Sequence, residues 1–570
     1  MTVTDTVLYL DDEHRIRRRY AGYVLTIGTE TVAGTETAFT LPELTANAQL
    51  VFKYDIVEQK TDAVAAGNGS VDVAEGWSSA GGTQTLTATP APGARFVRWM
   101  TDGVLSEAEA TAATLALPTD VPRHAVAVFS GATESLTTKT FVGEDGGAWE
   151  TAENWTPAGM PTVADAVTVP ADKTVVVRNW AVAGSLTLGD GAVMSVAGAT
   201  AELFKSVYHV DGFKDGRNVT SAAFSGGVGV AVAGDVTLGE GAQLALGGYN
   251  LTVRTALSVG GDFELGERST FAVYAGPAKS DAEYRQGGGR VSVGGAMTLL
   301  EGATNVVYGH IGKGVSGTAA TVVLSAKTVD VRAGAAIRSW AGSDSNVPQA
   351  LYAGRASEPA YGGSGHAVAG GSGGFADNPL TKPGGGTYDF AYAPRWPGRE
   401  SRTGEYNEPG AGALRIEAGC LRLAGTLDVT PIDYSYKTET GGAAGGSVWI
   451  LADSFVASGS AKILAKGLDG GIHTTTRHQC GGGSGGLVSV CLRLTAAEKD
   501  ELWTSGTVSN PLIKVSDLVA APPARYAKLG IDVTSGVNRI GVTGETYGEV
   551  LGDGTAYLIQ RPIGFTVLIR

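Results

Sequence analysis

Cysteine, charged residues and long hydrophobic runs are all scarce in this chain of 570 residues. The three cysteines are too few, and odd in number, for a disulfide framework, and no C-x-x-C pair indicates a structural zinc site. No apolar run approaches the roughly 20 residues that a membrane-spanning helix needs. Charged residues make up 18% of the chain, against about 25% in an average protein. The fold must therefore depend on packing and backbone hydrogen bonds.

The balance of charge is acidic, with 57 acidic and 43 basic residues and a net charge of −14. Gripping a phosphate backbone needs a concentrated cationic surface, so nucleic acid is not an expected partner. The first twenty residues lack the charged-then-apolar order of a signal peptide. Two interpretations follow: the protein is intracellular, or this sequence is a fragment without its targeting end.

Glycine is abundant, at 84 residues, about twice the ordinary share of ~7%. Disorder does not follow, because 43% of the chain is hydrophobic. Val, Leu, Ala, Ile and Thr recur in short alternating runs, and no helix-period stretch exceeds about three turns. The sequence therefore predicts an all-β protein.

Two small β-units are predicted at the front of the chain. Residues 1–57 alternate like the strands of a small domain that is truncated at its start. Residues 58–131 contain the hairpin GNGSVDV, the run TQTLTATPAPGARFVRWM and the strand RHAVAVFS. This order resembles the divergent internalin-type B-repeat of bacterial surface proteins, with Phe96 and Trp99 at the positions of that family's core aromatics. The resemblance implies an extracellular or cell-surface protein.

Internal repeats dominate the next part of the chain. Residues 181–198 align with 231–248 at ten of eighteen positions, and weaker copies begin at Ser258, Ser292 and Ser325. Each copy is two short strands joined at a glycine-rich corner, and one such layer cannot bury its own apolar face, so layers must stack. The pattern predicts a right-handed parallel β-helix, or solenoid, over residues 132–505.

Both ends of the predicted β-helix carry distinct segments. The start carries Trp149, Asn154, Trp155, Pro161, Asp165 and Val167. Their order resembles the entry segment of secreted solenoids and autotransporter-like passenger domains, which implies a cap over the first coil. Sugar binding by Trp149 and Trp155 is the alternative role. Residues 494–505 are the best helix candidate, with an N-cap at Thr495, and are expected to close the solenoid. Residues 506–570 are predicted to form a short C-terminal β-unit.

Glycine-rich tracts mark residues 352–490, including YGGSGHAVAGGSGGF and CGGGSGGLVSVCLRL. Their order resembles a family of glycine-rich secreted β-helices. The tracts are interpreted as turns and loop bases between coils.

One loop gathers aromatic and cationic residues and is the candidate glycan-binding surface. Aromatic faces stack on the apolar faces of sugars, and arginine forks pair with carboxylate or sulfate. The alternative is a loop folded back on the solenoid wall, with its arginines paired to nearby acids. The candidate residues are Tyr388, Tyr392, Arg395, Trp396, Arg399, Arg402 and Tyr406.

A second loop holds the weak metal candidates His473, His478 and Cys480, since imidazole and thiol groups can form a soft-metal site. Their spacing fits no familiar zinc pattern, so a solvent-exposed junction is favoured, and no metal or cofactor is expected.

The expected function is an adhesin-like or structural display scaffold that contacts a polysaccharide or surface glycan. The alternative is a carbohydrate-active enzyme on a β-helix, a polysaccharide lyase or a glycosidase, for which the sequence identifies no catalytic residue. An enzyme should bring acidic and basic side chains from neighbouring strands into one groove, with perturbed pKa values. The oligomeric state is not determined by the sequence.

Overall fold

The structure is a computed structural model. It describes residues 3, 7–9, 16–40, 42–43, 47–54, 56–66, 69–72, 75–92, 94–101, 109, 111–119, 123–130, 136–162, 164–177, 180–196, 228–247, 255–276, 288–309, 321–340, 362–375, 378–399, 401–402, 407–408, 410–432, 441–472, 478–540, 543–547 and 551–562.

Short strands make up the N-terminal part. They are β1 (Val7–Tyr9), β2 (Ile16–Arg19), β3 (Gly22–Ile27), β4 (Glu30–Gly34), β5 (Ala48–Lys53), β6 (Ile56–Ala66), β7 (Gly69–Val71), β8 (Glu75–Ser79), β9 (Thr83–Pro90), β10 (Arg95–Thr101), β11 (Thr114–Pro118) and β12 (Arg123–Ser130).

Three sheets form from these strands. The largest has the order β1-β2-β6-β12-β10, and β8 also pairs with β6. The others have the orders β4-β3-β5 and β11-β9-β7. Since β6 begins at Ile56 and pairs with β2, the predicted boundary at residue 57 falls inside a strand that joins the two predicted units.

Aromatic side chains fill the core of the second unit, as predicted. The ring of Phe96 lies 5.6 Å from that of Trp99 and 5.7 Å from that of Phe129, centroid to centroid. Trp99 is buried, and its indole N–H donates to the carbonyl of Ala112 at 2.9 Å. A small β-sheet unit needs this volume, and the buried indole needs this partner.

The strands after residue 136 make up the larger part of the structure, and most of them pair in parallel. The first group is β13 (Thr137–Phe141), β14 (Gly147–Ala148), β15 (Trp155–Thr156), β16 (Asp165–Val169), β17 (Thr174–Val177), β18 (Trp180–Ala183), β19 (Ser185–Leu188), β20 (Val193–Val196), β21 (Val228–Val232), β22 (Val236–Leu238), β23 (Gln243–Leu246), β24 (Thr255–Val259), β25 (Phe263–Leu265), β26 (Thr270–Tyr274), β27 (Gly289–Leu299), β28 (Thr304–Tyr308), β29 (Val322–Val331) and β30 (Ala336–Trp340).

The second group includes one α-helix. It is β31 (Gly373–Phe375), β32 (Asn378–Lys382), β33 (Ser401–Arg402), β34 (Asn407–Glu408), β35 (Ala413–Leu423), β36 (Thr426–Asp428), β37 (Ser447–Ala457), β38 (Lys462–Leu464), β39 (Gln479–Cys480), β40 (Leu487–Leu492), α1 (Ala496–Ser505), β41 (Lys514–Asp517), β42 (Gly530–Asp532), β43 (Arg539–Ile540) and β44 (Thr555–Gln560). Short 3₁₀ helices lie at Ala152–Asn154 and Ala524–Tyr526.

Two long sheets organise these strands, and the chain passes repeatedly from one to the other. The larger follows β15-β13-β16-β19-β22-β25-β27-β29-β35-β37-β40-β44-β41, with a branch of β18, β21 and β24 that joins it at β27. The second follows β14-β17-β20-β23-β26-β28-β30-β36-β38-β42. One buried cluster draws side chains from both sheets, so they share a core.

The strand register reproduces the internal repeats read from the sequence. Leu186 pairs with Val236, which is the offset of the two best repeat copies. Val236 pairs in turn with Phe263, and Phe263 with Met297. All four side chains are buried, so equivalent residues stack directly above one another in successive layers.

Aspartates at the corners connect one layer to the next. The carboxylate of Asp190 accepts a hydrogen bond from the Glu240 N–H at 2.9 Å, and that of Asp262 accepts from the Ala296 N–H at 2.7 Å. Each corner acid therefore pairs an amide that the turn leaves without a strand partner.

A hairpin closes the edge of the larger sheet near residue 141, in agreement with the predicted cap. Strand β15 pairs antiparallel with β13, while the interior strands are parallel. Trp149 and Trp155 are each 1% exposed, and their ring centroids are 4.8 Å apart. Because both indoles are buried, they fill the cap and do not face a sugar.

The glycine-rich tracts differ from the expected turns and loop bases. They form buried segments connected by backbone hydrogen bonds, such as Gly371 N–H to Gly482 O at 2.8 Å and Gly363 N–H to Gly371 O at 2.8 Å. A Cβ on Gly482 would collide with the carbonyl of Gly536. The segments pack backbone against backbone, and any side chain larger than that of glycine would prevent this close contact.

The C-terminal part also differs from expectation. Strand β44 pairs parallel with β40, and β42 pairs parallel with β38, so residues beyond 505 extend both sheets and do not form a separate unit. Helix α1 has the predicted N-cap at Thr495, which forms a capping box with Glu498. It lies on the outer face of the larger sheet and does not close its end, because later strands continue that sheet.

We predict that Asp262→Ala destabilises the paired sheets by about 1 kcal/mol, because the Ala296 amide loses its acceptor. Asp262→Asn keeps an acceptor and should cost less. Calorimetric unfolding checks the free energy, and hydrogen exchange at the Ala296 amide checks the location. Asp453→Ala, at an exposed acid on β37, is the control. Equal unfolding of all variants would contradict the proposed role of the corner acid.

We predict that Gly482→Ala costs about 1–3 kcal/mol or more, because the added methyl group meets backbone atoms that cannot move aside. Gly459→Ala is the matched control, since a Cβ there meets only a Lys528 side-chain carbon at 3.7 Å. Thermal unfolding of both variants should separate them clearly. Similar melting temperatures would show that the glycine-rich segments tolerate side chains.

Candidate functional site

Polar side chains cluster on the outer face of the larger sheet, on β29, β35 and β37. The register aligns Arg415 with Trp449, and Ser325 with Glu417. Successive residues of a strand face opposite sides of a sheet. The neighbour Ile416 therefore points into the shared core, where it is fully buried.

A cavity of about 450 Å³ opens over this face, beside helix α1. We call it the Arg–Trp cleft. Its lining residues are Ser325, Ala326, Arg415, Glu417, Ala418, Gly419, Trp449, Leu451, Asp453, Ala496, Lys499 and Trp503.

Two guanidinium groups hold one carboxylate in the cleft. Arg415 Nη2 lies 2.6 Å from Glu417 Oε1, and Arg290 Nη2 lies 3.3 Å from Glu417 Oε2. Burial by itself would raise the pKa of Glu417, but the two arginines outweigh it and hold that pKa below its ordinary value. Glu417 is therefore an ionised acceptor at neutral pH, not a proton donor.

Aromatic rings support these arginines. The rings of Trp449 and Trp503 stack at 5.9 Å and 19°. Arg415 lies 5.1 Å and 5.3 Å from their centroids, and Arg395 lies 4.5 Å from that of Trp503. The guanidinium planes are thus held by cation–π contacts against two nearly buried indoles.

Helix α1 forms one side of the cleft. Its first turn is fixed by the capping box, in which Thr495 N–H donates to Glu498 at 2.8 Å and the Glu498 N–H donates to the Thr495 hydroxyl at 3.3 Å. Leu502 and Trp503 are buried against the sheet. Lys499 faces the cleft from the same helix and is partly exposed.

The loop before β33 positions Arg395 through one aspartate. Asp389 has a φ of 77°, a left-handed conformation that is uncommon outside glycine. Its carboxylate accepts from the N–H groups of Phe390 at 2.8 Å, Arg395 at 2.9 Å and Trp396 at 2.8 Å. These bonds fold the loop so that the Arg395 guanidinium reaches the Trp503 ring.

Beneath this loop lies a buried group of Asp389, His366 and Ser447. Ser447 Oγ lies 3.2 Å from Asp389 Oδ2 and 3.4 Å from His366 Nε2, and that nitrogen is 3.4 Å from Asp389. The other ring nitrogen lies 2.6 Å from the carbonyl of Gly445. A catalytic triad places its acid and hydroxyl on opposite nitrogens. Here both meet the same nitrogen in a fully buried site, which indicates a structural network.

The predicted glycan-contacting residues fall into separate places. Tyr388 and Arg399 are 8% and 3% exposed, and the Tyr388 hydroxyl donates to the Pro397 carbonyl at 2.6 Å. Burial raises the pKa of Tyr388. These two side chains belong to the folded loop, not to a surface, because the loop packs back on the sheet.

The other predicted residues are less uniform. Tyr392, Arg395 and Trp396 remain partly exposed beside the helix. Arg402 lies in β33, opposite Asn407. Tyr406 lies outside the described residues.

The metal candidates are only partly described. His473 lies outside the described residues, His478 is partly exposed, and Cys480 is fully buried in β39. Across the described ranges, no group of three or more His, Cys, Asp or Glu side chains could hold a metal ion.

Sequence reasoning missed Arg415, Glu417 and Lys499. A signal was present, since Arg415 and Glu417 are charged residues at alternate positions of β35, with the apolar Ile416 between them. Their partner Arg290 lies two strands away in the sheet, and only the register brings it near.

None of the helices in the described part of the chain is long and apolar enough to cross a membrane. Neither a curated protein nor a solved structure matches the chain. One family profile does match, and it confirms the internalin-type resemblance seen in the sequence. Residues 60–133 match the divergent InlB B-repeat domain, which suggests a bacterial surface-associated or secreted protein.

Proposed function

We propose that this chain is part of a bacterial surface protein whose two parallel sheets wind as a right-handed parallel β-helix. In this proposal the β-helix is an adhesin-like display scaffold that contacts glycans. The B-repeat match supports the surface setting. The alternation of strands between two sheets that share one core supports the β-helix.

The proposed division of the chain follows from the same observations. A small β-domain at residues 1–57 and the B-repeat-like module at 58–131, which are joined through strand β6, precede the β-helix, which begins at 132. The proposed β-helix extends beyond 505, because β42 and β44 pair with its strands.

The Arg–Trp cleft is the observation that carries the proposal of glycan contact. It combines a concave shape, fixed guanidinium groups and partly exposed aromatic residues on the neighbouring loop. Ligand sites usually join a cavity of this kind with a few fixed polar groups. The loop residues Arg395 and Trp396 would extend the contact beyond the cleft.

A polysaccharide lyase is the second candidate, because acidic and basic side chains from adjacent strands and a helix converge in the cleft. A lyase needs cations that neutralise a sugar carboxylate, and Arg415 and Lys499 could do so. A glycosidase fits less well, since its acid needs a raised pKa and that of Glu417 is lowered. The binding scaffold remains the preferred proposal, because the carboxylate of Glu417 is already paired with two arginines.

We predict that the intact protein binds a subset of glycans on an array and leaves acidic polysaccharides uncleaved. Arg395→Gln should weaken the array signal roughly five- to tenfold, because it removes a charged contact beside the cleft. Arg422→Gln, at an exposed position of β35, should leave the signal unchanged.

Ultraviolet absorbance of unsaturated uronate products measures cleavage in the same samples. An absorbance that rises with time would show that the protein is a lyase and would contradict the proposal of a binding scaffold. If the intact protein binds no glycan on the array and cleaves none, the proposed function is contradicted.

A further inference from the structure

Three cationic side chains and two acids lie in or beside the Arg–Trp cleft, so its net charge is slightly positive against the acidic background of the chain. Arg290, Arg415 and Lys499 surround a single enclosed acid, Glu417, while Asp453 lies exposed at the rim. The chain as a whole carries −14. Fixed cationic groups beside low-dielectric walls attract anions locally even when the net charge of the protein is negative.

The cleft also offers an acceptor, which narrows the class of ligand. Glu417 meets one guanidinium group with each of its oxygens, yet each oxygen has a further lone pair. Its lowered pKa keeps it ionised, so it accepts hydrogen bonds and donates none. A matching ligand needs both an anionic group and hydroxyl donors. Simple carboxylates such as acetate carry no hydroxyl groups beside the anionic group.

The cationic groups are held in place before a ligand arrives. The guanidinium of Arg415 is fixed between Glu417 and the rings of Trp449 and Trp503. Both indoles are nearly buried, which keeps water away from one side of the ion pair. Fixed groups in such surroundings lose little freedom on binding and interact more strongly with charge than they would in water.

We propose that the Arg–Trp cleft binds a uronate residue of an acidic polysaccharide, with Arg415 and Lys499 holding the sugar carboxylate and Glu417 accepting from sugar hydroxyl groups. This inference rests on the proposed glycan-binding function and specifies its ligand. The carboxylate and the hydroxyl groups of a uronate stand on one ring, as the cleft requires.

Lys499 offers the cleanest variant. Among the described residues its side chain has no hydrogen bond or ion pair, so Lys499→Gln removes charge with little effect on folding. The matched control is Lys462→Gln, at an exposed lysine on β38 in the other sheet.

The test titrates the full chain by calorimetry with galacturonate, trigalacturonate and a neutral galactose trimer. We expect the two acidic sugars to bind, the neutral trimer to bind much more weakly, and affinity to fall as sodium chloride is added. Lys499→Gln should lower affinity for trigalacturonate roughly five- to tenfold, and Lys462→Gln should not. Equal affinity for galacturonate and trigalacturonate would show that the cleft binds one sugar residue. Higher affinity for trigalacturonate would show that it also contacts neighbouring residues of the polysaccharide.

Equal affinity for the neutral trimer, or no effect of Lys499→Gln, would overturn the inference. If the array detects glycans while both acidic sugars fail to bind, the glycan site lies elsewhere and only this inference falls. If no glycan binds at all, the proposed function falls with it.

Discussion

In-register pairing of parallel strands is the constraint on which the rest of this structure depends. Each layer hydrogen-bonds to the next through its paired strands, so a side chain in a strand lies directly above its counterpart in the layer before. Each inward-facing side chain therefore has to pack against the equivalent side chains of the layers on either side of it. Valine, leucine, phenylalanine and methionine fill the column that runs from Leu186 to Met297.

The same register builds the Arg–Trp cleft. Arg415 and Glu417 face outward because Ile416 faces inward, and Trp449 lies beside Arg415 because their strands pair at that level. A helix and a folded loop then cover this outer face with a second small hydrophobic cluster. The charged groups are left between the sheet and the helix, where they are partly shielded from water. Position in the sheet, more than residue type, makes these side chains a candidate site.

Glycine has two separate roles in this chain. At corners such as Gly191 and Gly241 it adopts positive φ angles of 68° and 67°, which other residues resist. In the segments around Gly371 and Gly482 the angles are ordinary, and the requirement is space between backbones. Composition alone predicts the first role readily. The second depends on which segments come together, which is why the tracts look like loops in the sequence and are buried in the structure.

The amino-acid sequence by itself determined the all-β character, the repeat offsets, the aromatic core around Trp99, the cap with Trp149 and Trp155, and the N-cap of α1. Each of these is a local pattern or a match between similar segments, which does not require knowledge of distant contacts. Tertiary structure alone decided the burial of Tyr388 and Arg399, the path of the glycine-rich segments and the meeting of Arg290 with Glu417. These depend on contacts between residues far apart in the chain, and side-chain type carries little information about which strand or loop will lie opposite.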